Sequence, residues 1–162
     1  MESKKRYKKT LYYSCVLTYN KKAGHPPMKD SRRKDMYLLV TNNRLCFDKY
    51  QNRVKVDYLE NGSYLDVLVK VRDYVQKGYR IETHPMAGSI KPNQTPFRTV
   101  LVSDEKMDGN EMIENELMIE DAVLMTRKFL SDHPVRDWEE SIVRDFGQVD
   151  LELISGAIDR IV

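Results

Sequence analysis

Cysteine is almost missing from these 162 residues: only Cys15 and Cys46 occur. Two thiols cannot build a disulfide framework, so stability must come from a hydrophobic core, and the cytoplasm is the expected compartment. Long apolar runs are missing as well. No stretch approaches the ~18 apolar residues of a membrane span, so no membrane association is expected. The start, Lys4 to Lys9 before Leu11 to Tyr19, has the outline of a signal peptide, but its apolar run is too polar and no small-residue cleavage site follows. Glycine is scarce, and its seven copies form neither a P-loop nor a Rossmann triplet. No paired spacing of metal ligands occurs, so neither a metal nor a cofactor is expected. Internal repeats are absent.

Composition fits one domain. The chain is 41% hydrophobic, enough for a core at this length, and 32% charged, enough for a solvated surface. The net charge of +2 conceals an asymmetry. Residues 1 to 34 hold eleven Lys or Arg against Glu2 and Asp30, a net +9; the remaining 16 basic and 23 acidic residues give −7. Residues 1–35 are therefore read as a basic, disordered extension before an acidic domain of residues 36–162. A basic, tyrosine-rich tail could also bind nucleic acid through phosphate and base contacts. A third reading comes from Arg32-Arg33, which can be encoded as AGG AGG, a bacterial ribosome-binding sequence. Two codons then separate it from Met36, so translation is expected to start there. On that reading residues 1–35 are not part of the native protein, and nucleic acid is not an expected partner.

Along the domain, residues 36 to 41 form a short apolar run, as in a strand buried on both faces. Asn42-Asn43 can cap a helix to about Tyr50. Arg53 to Leu59 alternates as a second strand. Asn61-Gly62 turns the chain, and Ser63 with Asp66 forms a capping box for a helix carrying Tyr64, Val67, Leu68, Val71 and Val75 on one face. Gly78 closes that helix. Tyr79 to Thr83 and Phe97 to Val102 read as strands three and four. Ser103 to Asn110 is polar turn, and Met112 to Leu130 is one long helix, with Glu120 as the place where it would break. His133-Pro134 stops it. Val135, Trp138, Ile142 and Phe146 mark a further helix ended by Gly147, and Asp150 caps a last one along Leu151, Ile154, Ile158 and Ile161. The expectation is a single three-layer α/β domain with a short, mostly parallel sheet of about four strands and C-terminal helices. The simplest strand order is 2-1-3, with strand four beside strand three.

Between strands three and four lies a thirteen-residue loop, His84 to Pro96, with three prolines. Loops of that length without secondary structure are usually functional or disordered, and the prolines favour order. Sheets of this class bind ligands at the carboxyl ends of their strands. Here those ends are Thr41-Asn42-Asn43, Asn61-Gly62-Ser63 and the His84 loop. The candidate ligand-binding residues are Asn42, Asn43, Ser63, His84, Gly88, Ser89, Lys91, Asn93 and Thr95. Two helix starts, Lys91 and the Gly88-Ser89 donors favour a carboxylate or phosphate. His84 and Lys91 are the candidates for chemistry, as acid/base group and anion stabiliser. Blander roles compete: Asn43 and Ser63 as ordinary caps, His84 bonded to its own loop, Lys91 solvated. No nucleophile elbow surrounds Ser89.

Four segments together resemble the GrdX family: Leu39-Val40-Thr41-Asn42-Asn43, Asn61-Gly62-Ser63-Tyr64-Leu65-Asp66-Val67-Leu68, His84-Pro85-x-x-Gly88-Ser89-x-Lys91-Pro92-Asn93-x-Thr95-Pro96, and Asp145-Phe146-Gly147-Gln148-Val149-Asp150. The likeness covers about residues 37 to 162, and the His-Pro to Thr-Pro motif is its most specific part. It implies a small protein encoded beside the glycine, sarcosine and betaine reductase components of anaerobic amino-acid fermenters. It supplies a pathway and no reaction. Two functions follow. One is an accessory protein that binds a small anion or a reductase component at the strand-end edge. The other is an enzyme on a carboxylated or phosphorylated metabolite, using His84 and Lys91. An enzyme needs His84 within reach of an enclosed pocket; a binding module does not.

Overall fold

A computed structural model of the chain describes residues 35–162. The expected basic extension, and the start-site reading that goes with it, lie outside the described residues except for Asp35. The elements run β1 (Tyr37–Thr41), α1 (Arg44–Tyr50), β2 (Lys55–Tyr58), α2 (Tyr64–Val75), β3 (Arg80–Ile81), β4 (Thr99–Ser103), α3 (Gly109–Asp132) and α4 (Glu140–Ile161).

Local signals set most element ends. The Asn43 side chain accepts from the Leu45 N–H and starts α1. Ser63 and Asp66 cap each other's backbone and start α2, as their spacing predicts. After α2, Gly78 takes φ +92°, a left-handed turn that a side chain would strain, and its N–H bonds the Val75 carbonyl. A second capping box, Asp108 with Glu111, starts α3 three residues before the periodic stripe suggests. α3 then runs unbroken past Glu120.

The four strands form one mixed sheet in the order β2-β1-β4-β3. β1 and β2 pair in parallel, while β4 pairs antiparallel with both β1 and β3. The first three strands thus share a direction, as helical crossovers require. The expected mostly parallel sheet in the order 2-1-3 is corrected: β4 enters between β1 and β3, beside β3 as expected, and its two antiparallel pairings leave the sheet only partly parallel. The reason lies in burial. Every residue of β4 is buried, which suits a central position, whereas β3 is two residues long and suits an edge. β3 ends early because the N–H groups of Glu82 and Thr83 both turn to the Leu101 carbonyl, and Thr83 Oγ1 takes the Leu101 N–H at 2.9 Å.

Helices cover both faces, giving three layers. On one face Leu38, Val40, Val100 and Val102 pack with Val67, Leu68 and Val71 of α2 and Ile119 and Val123 of α3. On the other, Tyr37, Leu39 and Leu101 pack with Cys46 and Tyr50 of α1 and Ile154 and Ile158 of α4. α4 is one helix of 22 residues, not two. Gly147 does not end a helix and Asp150 does not cap one; both lie inside α4 and face inward. A Cβ at Gly147 would sit 3.4 Å from Asn43 Oδ1, Leu45 Cδ1 and Phe97 Cε2, so glycine there allows α4 to approach the start of α1. Val135 and Trp138 precede the helix. The Trp138 indole stacks edge-on against Phe146 and donates to the Gln94 carbonyl at 3.1 Å.

Candidate functional site

The antiparallel return brings Thr99, at the start of β4, beside Thr41, at the end of β1. The carboxyl end of β1 therefore meets both ends of the long loop. Asn42 joins the pieces. Its Nδ2 donates to the carbonyls of Gly62 (2.9 Å) and Pro96 (2.8 Å), and its Oδ1 accepts from the Arg98 N–H at 2.8 Å. Both donors and the carbonyl oxygen are used within the protein, which makes Asn42 a clamp between β1, the α2 turn and the loop.

Behind it lies a buried polar hub centred on Asp150. The carboxylate Oδ2 accepts from Asn43 Nδ2 at 3.0 Å, from Thr99 Oγ1 at 2.7 Å and from Cys46 Sγ at 3.6 Å. Because the Thr99 hydroxyl proton points to Asp150, Thr41 supplies the proton in the 2.6 Å contact between the two threonine hydroxyls. The Asn43 N–H in turn donates to Thr41 Oγ1 at 3.0 Å. The second Asn43 Nδ2 proton reaches the Gly147 carbonyl at 2.8 Å. Burial, reinforced by the Asp150 charge, pushes the Cys46 thiol up to about 12, so it is a protonated donor rather than a nucleophile.

The loop is held from several sides. Arg98 is only 6% exposed. Its Nη1 donates to the Ala87 carbonyl at 2.7 Å and its Nη2 to the His84 carbonyl at 3.0 Å. The guanidinium also lies 5.8 Å from the centre of the Tyr64 ring. Its Nε, although buried, has no hydrogen-bond partner among the described residues. Arg98, Tyr64, Thr95 and Asp150 share a cavity of about 20 Å³, partly open to solvent, with apolar walls that include Phe146 and Leu153. That volume suits roughly one water-sized group. Gly88 lines its rim at φ +98°, where a Cβ would come within 2.9 Å of Leu153 Cδ1.

The sequence-derived candidates separate in space. Gly88 and Thr95 line the cavity. Asn42 and Asn43 lie buried behind it and are fully engaged. Asn93 Oδ1 is buried without a partner among the described residues. Ser63 is exposed at the start of α2, with its hydroxyl and N–H spent on Asp66. Ser89 is exposed. Lys91 turns toward α3, its Nζ 5.6 Å from the centre of the Phe129 ring. His84 does not line the cavity; its Nδ1 accepts from the Met86 N–H at 3.1 Å, which leaves the proton on Nε2. Burial, and then the Arg98 charge, lower the His84 pKa and keep the ring neutral. Both helix starts at this edge carry their own caps: Asn43 takes the Leu45 N–H, and Ser63 takes the Asp66 N–H.

Arg98 and Asp150 were missed as candidates. Asp150 does carry a signal. It falls at helical spacing with Gly147, Ile154 and Ile158, on the stripe that meets the core. Arg98 interrupts no pattern: it precedes the apolar β4 directly, and nothing local marks an arginine as buried.

No helix among the described residues is long and apolar enough to cross a membrane. Comparison with protein families finds a match to the model described as GrdX-like protein, over residues 38–159. No curated protein and no solved structure matches the chain.

Proposed function

The chain belongs to the GrdX-like family, and on that premise we propose that it is a cytoplasmic accessory protein of the glycine, sarcosine and betaine reductase system that binds an anionic group at its strand-end edge. The observation that carries this reading is the Arg98 Nε. It is a charged donor, buried and without a hydrogen-bond partner among the described residues, in a side chain that lines a partly open cavity. A buried donor without an acceptor costs about 1–3 kcal/mol, and an acceptor arriving from outside recovers that cost. The Asp150 carboxylate shares the cavity, and its Oδ2 already serves three donors, whereas the Arg98 Nε–H reaches no acceptor among the described residues.

The cavity admits a terminal group, not a whole metabolite. The bound species therefore presents a carboxylate or phosphate oxygen at the end of a longer body. That body is either a small metabolite or a reductase component. The alternative, an enzyme with His84 as acid/base and Lys91 as anion stabiliser, gains no support from the geometry. The His84 Nδ1 is engaged with Met86, and the Lys91 ammonium lies against Phe129.

Calorimetric titration of the full chain separates the two sources. One arm uses acetate, glycine, betaine, acetyl phosphate and phosphate; the other uses the purified reductase components. Binding in either arm should weaken at least tenfold in Arg98→Lys, which keeps a positive charge but loses the Nε–H together with the two Nη donors that hold the loop. A ligand at a hundred times its dissociation constant should also stabilise the fold by about 2.7 kcal/mol. Absence of binding in both arms overturns the proposal.

A further inference from the structure

We propose that α3 is the contact helix of a two-fold symmetric dimer of this chain, an inference independent of the anion site. α3 buries Asn115, Ile119, Ala122, Val123 and Thr126 against the rest of the fold. On its far side Ile113, Leu117 and Leu124 are 56%, 62% and 65% exposed. At 3.6 residues per turn these three fall within an arc of ~40°, directly opposite the buried set. They lie along one side of a helix of 24 residues, with the exposed Glu120 and Asp121 between Leu117 and Leu124.

The charges beside these residues identify the partner. Glu111, Glu114, Glu116, Glu120 and Asp121 follow one another along α3 with no basic residue among them, and Arg127 and Lys128 come after them. Glu111 and Glu120 are engaged within the chain, by Arg80 at 3.5 Å and Arg72 at 3.8 Å. Glu114, Glu116, Arg127 and Lys128 are exposed and form no ion pair among the described residues. A second copy laid antiparallel, with the two-fold axis between Glu120 and Asp121, satisfies all four. Leu117 then faces Leu124 of the other copy, twice over. Glu114 comes beside Lys128, and Glu116 beside Arg127, on the two flanks. A two-fold contact must be self-complementary in this way, because one patch serves as both halves. A parallel partner would instead place acid against acid. Near the axis Asp121 approaches its own copy, and the pull of Arg72 on Glu120 relieves the other like-charge contact.

Sedimentation equilibrium of the full chain tests this. The wild type should reach twice its 19.1 kDa mass at micromolar concentration. Leu117→Glu with Leu124→Glu should leave it monomeric, with its circular dichroism unchanged and its melting temperature independent of protein concentration, since neither side chain is in the core. Glu114→Lys with Glu116→Lys should weaken the dimer at least tenfold, and adding Arg127→Glu with Lys128→Glu should restore it. A monomeric wild type, a dimer indifferent to the leucine changes, or failure of the restored charges to recover association would each overturn the proposal.

Discussion

The two faces of the sheet are built on different principles. The α2–α3 face is an apolar cluster in which Val67, Leu68 and Val71 meet the valines of β1 and β4. The α1–α4 face carries a comparable cluster, but beside it a carboxylate is buried with threonines, an asparagine and a thiol around it. An apolar face tolerates a lost methyl group by leaving a void. A buried carboxylate fixes α1, β4 and α4 relative to one another, because each donor must reach the same oxygen. The first face supplies stability; the second supplies register, and it is the second that adjoins the Arg98 cavity.

The largest expected effect breaks the second face. Asp150→Ala removes the acceptor of three buried donors and should cost about 4 kcal/mol, at roughly 1–3 kcal/mol per stranded group with partial relief by water. Leu68→Ala, at a fully buried position of the first face, should cost about 3 kcal/mol. Urea denaturation of both variants gives the ranking. If Leu68→Ala proves the more damaging by a clear margin, the hub is not the keystone of the fold.

A smaller effect sharpens the comparison within α4. Gly156 has open space where a Cβ would point, and Gly147 does not. Gly156→Ala should stabilise by about 1 kcal/mol through helix propensity alone. Gly147→Ala should gain nothing, because crowding against Asn43, Leu45 and Phe97 offsets the same propensity. Equal stabilisation by both, in thermal melts, would mean that α4 does not depend on close approach at Gly147.

The smallest effect is a pH slope. The folded-state pKa of His84 lies below its ordinary value of 6.5, through burial and Arg98. The unfolded chain therefore binds the proton first. Stability from this group is complete above pH ~6.5 and is lost as pH falls through that value toward the folded pKa. His84→Gln should flatten the stability profile in that window. An unchanged slope would show that His84 is not held neutral by the fold.

Much of the fold is legible in the sequence because its signals are local. Asn43, Ser63 with Asp66, and Gly78 each act within a few residues of themselves, and each does what its spacing predicts. The Asp108–Glu111 box is equally local, an Asp with a Glu three residues on. Sheet order is not local. β4 takes the centre through ladders to residues more than 50 positions away in β1. The same applies to Gly147 and Asp150. Taken alone they read as a stop and a cap; tertiary contacts with Asn43 and Thr99 turn both into interior residues of one helix. At the candidate site, the loop's length and prolines pointed to an ordered element. Its anchors, Arg98 and Trp138, lie outside the motif and carried no local sign of that role.

On the proposed function, the Arg98 Nε–H takes an anionic oxygen. Nuclear magnetic resonance reads that group directly, through its ¹⁵N–¹H resonance in the full chain. Titration with acetate should move the resonance saturably, and acetamide, of the same shape without the charge, should not. A resonance that acetate leaves in place, or that both compounds move alike, would contradict the account.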